Sequence, residues 1–201
     1  MTDLVDLKYL DPVIAYATEK HQGQKRKNSK ADDYITHPIE VMRFLSNNGV
    51  TNKVTLMGAI LHDTIEDTEA TYEEIKEKFG KAVADVVLEV SDNKDLSKLV
   101  RKRLQLTEIA KKSRAARLIK LADKWSNTED LKTDPPAHWE LIDVNGYIIW
   151  SYEICRNIFS VGDVPDKLRD AIEKHFEKLG VHEIPFDFLD AYFDELKRRE
   201  R

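Results

Sequence analysis

The sequence predicts an all-α domain, a bundle of about ten helices. Three observations lead there. Apolar residues recur at three- and four-residue spacings in one segment after another. Capping residues and glycine stops bracket those segments. Strand-like alternation is scarce, and no Asn-Gly hairpin turn joins β-branched runs.

The elements follow in order. Asp11-Pro12 reads as an N-cap and first-turn pair ahead of Val13, Ile14 and Ala17. Pro38 opens a helix carrying Ile39, Met42 and Leu45, which stops at Asn47-Asn48-Gly49. Thr51 can cap a helix with Val54, Met57, Ile60 and Leu61. Thr71-Tyr72-Glu73-Glu74 is a capping-box pattern, and Gly80 ends that helix. Val83, Val86, Val87 and Val90 mark the next one. Helices are then expected over 97–112, 114–127, 137–159, 165–179 and 186–198. Pro165 and Pro185 divide the last forty residues into two short helices, so the expected organisation is a domain over 1–180 and a helical extension over 181–201.

Length and composition set the bounds. A chain of 201 residues fits one domain and buries roughly 70% of its unfolded surface. The apolar share of 41% supports such a core, and the 34% charged residues are too mixed in sign for a disordered tail. A single cysteine, Cys155, excludes a disulfide framework and any multi-cysteine zinc site, and its apolar surroundings make it a core residue. Met1-Thr2-Asp3-Leu4 lacks a signal-peptide layout, and no apolar stretch approaches the ~18 residues of a membrane span, so a cytoplasmic protein is expected.

The formal charge of −5 argues against general nucleic-acid binding. Yet ten basic residues fall between Lys94 and Lys120, opposed only by Asp95 and Glu108, and Lys25-Arg26-Lys27 with Lys30 forms a second knot. Taken alone, such runs read as solvated faces. On an acidic chain they also suit a small polyanionic ligand. No Gly-rich phosphate loop can be built from the seven glycines, so phosphates would be held by side chains and a metal.

Four positions offer that metal site: His37, the pair His62-Asp63, and Asp123. Two imidazoles and two carboxylates suit Mn²⁺, Fe²⁺ or Zn²⁺. Each lies beside apolar helix residues and so points toward a bundle interior, where unpaired charge is costly. Singly, each has a plainer reading, such as a helix-start histidine or a lysine-paired aspartate. The run His62-Asp63-Thr64-Ile65-Glu66-Asp67 shifts the balance: helical geometry would put His62 and Glu66 on one face and Asp63 and Asp67 on the next. A metal takes two of these groups, and the other two can take or steer a proton of water. Asp123 and Asn127 would likewise share a face, with the amide free to meet a sugar hydroxyl.

The stretches AYATEKHQGQKRK (15–27), YITHP (34–38), AILHDTIEDT (59–68) and IKLADKWSN (119–127), with Tyr147, resemble the HD-domain metal-dependent phosphohydrolases. More narrowly they are similar to the hydrolase domain of the RelA/SpoT family and its stand-alone small alarmone hydrolases. The resemblance implies an HD-domain helical bundle that removes the 3′-pyrophosphate of guanosine tetra- or pentaphosphate, giving GDP or GTP, with Mn²⁺ as cofactor and Zn²⁺ or Fe²⁺ as alternatives. It implies His37, His62, Asp63 and Asp123 as metal ligands, and Glu66 and Asp67 as the groups that position and activate water. It places Arg26 and Lys27 against the nucleobase and phosphates, Tyr34 and Tyr147 along the nucleoside pocket, Asn127 at the ribose, and Lys94 and Lys98 near the phosphates. The partner implied is a small nucleotide, with no nucleic acid or membrane. Bacterial relatives often carry arginine where this chain has Glu129, which bears on the phosphate or ribose contacts. The same centre also serves adenosine alarmone hydrolases, NADPH 2′-phosphatases and nucleotidases. Readings outside catalysis are a nucleotide sensor that kept the fold and a purely structural helical protein.

Overall fold

The computed structural model describes residues 7–27, 29–129, 131–185 and 187–200, and among them lie eleven α-helices and three single-turn 3-10 helices. They are α1 (Asp11–Lys20), α2 (Thr36–Asn47), α3 (Lys53–Leu61), α4 (Thr64–Asp67), α5 (Tyr72–Phe79), α6 (Lys81–Val90), α7 (Lys98–Glu108), α8 (Arg114–Thr128), α9 (Leu141–Phe159), α10 (Asp166–Lys178) and α11 (Phe188–Arg199). The 3-10 turns cover Lys8–Leu10, Ile109–Lys111 and Val181–Glu183. Among the described residues there is no strand, only one isolated bridge between Lys25 and Asp33. Among the described residues no helix is long and apolar enough to cross a membrane. Residues 1–4, read above for a signal peptide, and residue 186, the expected start of the last helix, lie outside the described residues.

The boundaries follow local chemistry, with four adjustments. Asp11 is the first helical residue rather than the cap, because the chain enters α1 straight from a 3-10 turn. Asn52, not Thr51, caps α3: its side chain accepts from the Thr55 amide at 2.9 Å. The helix expected from 137 starts at Leu141, because Glu140 and Asp143 close a capping box there, after Pro135-Pro136. The helical run expected through 62–67 is broken at Asp63 (φ −99°, ψ −3°), which separates α3 from α4. The Thr71/Glu74 capping box forms as read, and Gly80, with φ +91°, joins α5 to α6.

Helix α8 is the spine of the molecule, packing on α2, α3, α6, α9 and α10. Leu118, Ile119, Leu121 and Ala122 on it are fully buried. Each large aliphatic burial of this kind contributes about 1.5–3 kcal/mol. Gly58 lets α3 close on its neighbours, since a Cβ there would stand 3.1 Å from both Ile119 Cδ1 of α8 and Val86 Cγ1 of α6. That close approach brings the end of α3, His62 and Asp63, to α8 and Asp123.

Residues beyond Gly180 share this core. Helix α11 packs on α9 and α7, Tyr192 is 1% exposed, and Arg199 binds Asp143 at 2.8 Å. The Leu99 amide donates to the Glu200 carboxylate at 2.8 Å. Gly146 on α9 is where α11 rests: a Cβ at 146 would meet the Tyr192 ring at 2.3 Å. Gly146→Ala therefore destabilises the protein by about 1–3 kcal/mol through overpacking. Calorimetry reads this as a fall in Tm of roughly 2–4 °C per kcal/mol. An unchanged Tm would show that α11 is not held there.

Candidate metal centre and its surroundings

Three helical regions converge on one point. His37 is the second residue of α2, His62 follows α3, Asp63 sits at the break before α4, and Asp123 lies in mid-α8. His62 Nε2 lies 3.0 Å from Asp63 Oδ2 and 3.7 Å from Asp123 Oδ1. His37 Nε2 lies 3.4 Å from the same Asp123 oxygen and 3.7 Å from the same Asp63 oxygen. Ligands at right angles around an ion about 2.1 Å away stand about 3 Å apart, so these spacings fit one divalent cation. The His37, His62 and Asp123 donor atoms all lie within 4.8 Å of one another.

Hydrogen bonding agrees with that assignment. His62 Nδ1 donates to the Ala59 carbonyl at 2.8 Å, which fixes the tautomer and leaves Nε2 as the free lone pair. His37 Nδ1 meets Ser126 Oγ at 2.9 Å. Both Nε2 atoms are buried without a hydrogen-bond partner. Buried polar atoms left unmade cost about 1–3 kcal/mol each, and two aimed at one carboxylate-lined point fit a metal.

The charges in the pocket constrain one another. Burial disfavours the imidazolium at His37 and lowers its pKa. Burial pulls His62 the same way, but Asp63 and Asp123 overcome it and raise its pKa to about 10. Burial pushes the Asp63 carboxyl up, yet His62 and His37 hold it well below the usual range. Asp123 is held low against its own burial by Lys124, at 3.1 Å, and the two histidines.

The other expected residues fall around this centre. Tyr34 Oη donates to Asp63 Oδ2 at 2.6 Å, and burial with the Asp63 charge raises its pKa, so it stays a phenol. Asn127 Nδ2 donates to Asp123 Oδ1 at 2.5 Å, so the amide braces that carboxylate. Glu66 accepts from the Asp92 amide at 3.0 Å and from Arg101 at 3.5 Å, and burial raises its pKa. Asp67 is paired with Lys94. Lys98 is exposed at the start of α7; partial desolvation lowers its pKa with Asp143 opposing, and it feels the charge of Lys27. Arg26 reaches Glu40 at 3.7 Å and lines a groove of about 520 Å³ with Trp125 and Phe44, whose rings stack at 3.9 Å. Tyr147 lies between Trp139 and Trp150, its pKa raised by burial and by Asp123. Cys155 is fully buried in the core and its thiol is pushed up by burial. Glu129 turns to α10, where it meets His175 Nδ1 at 3.0 Å.

Sequence reasoning did not single out Lys124, Ser126, Glu40 or the surroundings of Lys102. Lys102 Nζ is buried without a hydrogen-bond partner, 3.3 Å from the Trp150 ring, 4.4 Å from Tyr147 and 5.4 Å from Tyr192. Burial and Lys124 lower its pKa well below the lysine range. One signal was available: Glu40 and Ser126 each stand three residues after a ligand, on the same helix face.

The HD domain family model matches residues 14–151. The chain is 44% identical over 144 residues to guanosine-3′,5′-bis(diphosphate) 3′-pyrophosphohydrolase MESH1 of Xenopus tropicalis, covering 71% of this chain and 80% of that one. It is 38% identical over 167 residues to the Homo sapiens protein of the same name, covering 83% and 92%. A solved structure described as "A metazoan ortholog of SpoT hydrolyzes ppGpp and plays a role in starvation responses" superposes with a TM-score of 0.79 at 36% identity, covering 85% of this chain and 94% of that one.

Proposed function

Since the chain belongs to the HD domain family, we propose that it is a guanosine-3′,5′-bis(diphosphate) 3′-pyrophosphohydrolase acting in the cytoplasm with Mn²⁺. The observation that carries this is the convergence of two unpartnered histidine Nε2 atoms with the Asp63 and Asp123 carboxylates. In this reading residues 1–180 form the hydrolase domain and 181–201 its helical extension.

His37, His62, Asp63 and Asp123 would hold the cation, with Zn²⁺ and Fe²⁺ as the other ions this donor set accepts. A divalent cation in such a site offsets phosphate charge and lowers the pKa of water. Glu66 takes the proton of the attacking water, helped by the burial that raises its basicity. Asp67, braced by Lys94, orients the same water. The water oxygen bonds to the phosphorus next to the ribose 3′-oxygen, the bond from that phosphorus to the 3′-oxygen breaks, and the 3′-oxygen takes up the proton that Glu66 removed, becoming a hydroxyl. Pyrophosphate and GDP leave. Lys27, Lys94 and Lys98 spread positive charge along the departing phosphates, Arg26 stacks on the base, Tyr34 and Tyr147 border the nucleoside, and Asn127, its Nδ2 engaged by Asp123, offers its amide oxygen to the ribose.

Incubation with Mn²⁺ and guanosine tetraphosphate should yield GDP and pyrophosphate in equal amounts. The adenine tetraphosphate and NADPH, tested beside it, should turn over more slowly. Inorganic phosphate as the product, or a preference for NADPH, would overturn the assigned substrate.

A further inference from the structure

His62 and His37 are oriented by different means. His62 leans on a backbone carbonyl of its own helix. His37 leans on a side chain from another: its Nδ1 meets Ser126 Oγ at 2.9 Å, and Ser126 Oγ reaches Glu40 Oε2 at 2.5 Å. The direction of this chain is decided by chemistry. A carboxylate oxygen only accepts, so the serine hydroxyl donates to Glu40. Its oxygen is then the acceptor for a proton on His37 Nδ1, and the lone pair must lie on Nε2.

We propose that Ser126 and Glu40 form a relay that fixes His37 in the tautomer whose Nε2 lone pair faces the metal pocket, and that this relay ends at the groove lined by Arg26 and Trp125. Ser126 is 3% exposed, whereas the Glu40 side chain is 42% exposed and lines the groove with Arg26 and Trp125. The same Glu40 oxygen that holds the serine stands 3.7 Å from Arg26 Nη1. Ser126 and Glu40 are positioning residues: neither touches the reacting atoms. Glu40 draws electron density through the hydroxyl to the imidazole, which strengthens Nε2 as a ligand. The inference rests on the metal reading above and adds to it the residues that orient one ligand and the route that couples it to Arg26.

The test is Mn²⁺ affinity, measured on the full chain by competition with a chelator, with no substrate present. Ser126→Ala should weaken Mn²⁺ binding about 10–100-fold, the usual effect of losing such a partner. Ser126→Thr keeps the hydroxyl and should restore binding. Glu40→Ala, at a partly exposed position that leaves the core intact, should also weaken it. In ¹⁵N spectra of the histidines, His37 should shift from the single Nδ1–H tautomer toward a mixture in both alanine variants. Wild-type protein that binds Mn²⁺ with Ser126→Ala of equal affinity overturns the relay alone. Failure of the wild type to bind Mn²⁺ overturns the metal reading and the relay together.

Discussion

Asp63→Asn abolishes metal uptake and pyrophosphate release while the helices remain. Asp63 lies 3.0 Å from His62 Nε2 and 3.7 Å from His37 Nε2, so one carboxylate oxygen faces both imidazoles. Asparagine keeps the volume and an oxygen that still accepts from Tyr34, but it removes one of the two negative charges facing the cation. Loss of an outer-sphere partner alone costs 10–100-fold in metal affinity, and loss of a charged ligand costs more. The fold has little stake in this carboxylate, since Asp63 makes no side-chain cap on α4. His62→Ala gives the same outcome by removing another of the four proposed ligands. The measurements are metal content by elemental analysis, helical content by circular dichroism and pyrophosphate release. An Asp63→Asn protein that retains one metal per chain would remove Asp63 from the ligand set.

What the sequence reveals of this molecule depends on how local each signal is. Capping chemistry is local, so the Thr71/Glu74 box and the Gly80 and Gly180 stops are readable from a few letters. The break at Asp63 is not, because apolar periodicity continues across it through Ile65, and only the packing of α3 against α8 shows where the helix must turn. The candidate ligands stand out in the sequence because histidines and aspartates flanked by buried aliphatics have few structural uses. Ser126 carries no such mark. Its role comes from His37, 89 residues away, and from Glu40, 86 residues away. Lys102 misleads in the opposite direction. It sits in a basic run that reads as a solvated face, yet Tyr192, 90 positions later, closes over it on α11. Departures of single residues are equally opaque: Glu129 matters to the letter pattern, but its carboxylate serves the docking of α10 through His175 and Lys178.

Glu66→Gln should keep the metal and lose turnover by about 10²–10⁴-fold, the usual worth of a general base. The substitution matters because Glu66 has two readings in this structure. It accepts from the Asp92 amide at 3.0 Å and from Arg101 at 3.5 Å, so it also ties α4 to the segment before α7. A glutamine preserves the acceptor for the Asp92 amide and much of that brace, but it cannot take a proton. If bracing were its whole contribution, the variant would work normally; if it accepts the proton of water, kcat collapses while KM and metal content stay near wild type. The pH profile separates the two further. Burial raises the Glu66 pKa above the ordinary glutamate value, and the base is active only when ionised, so wild-type activity climbs as pH rises through that pKa. The glutamine variant has no such group, and its residual rate should lose that acid limb. Glu66→Ala then serves as the control that removes brace and base together, and its added loss of Tm measures the brace. Unchanged turnover in Glu66→Gln would hand the proton transfer to another group, with Asp67, beside it in α4 and already paired with Lys94, the next carboxylate to substitute.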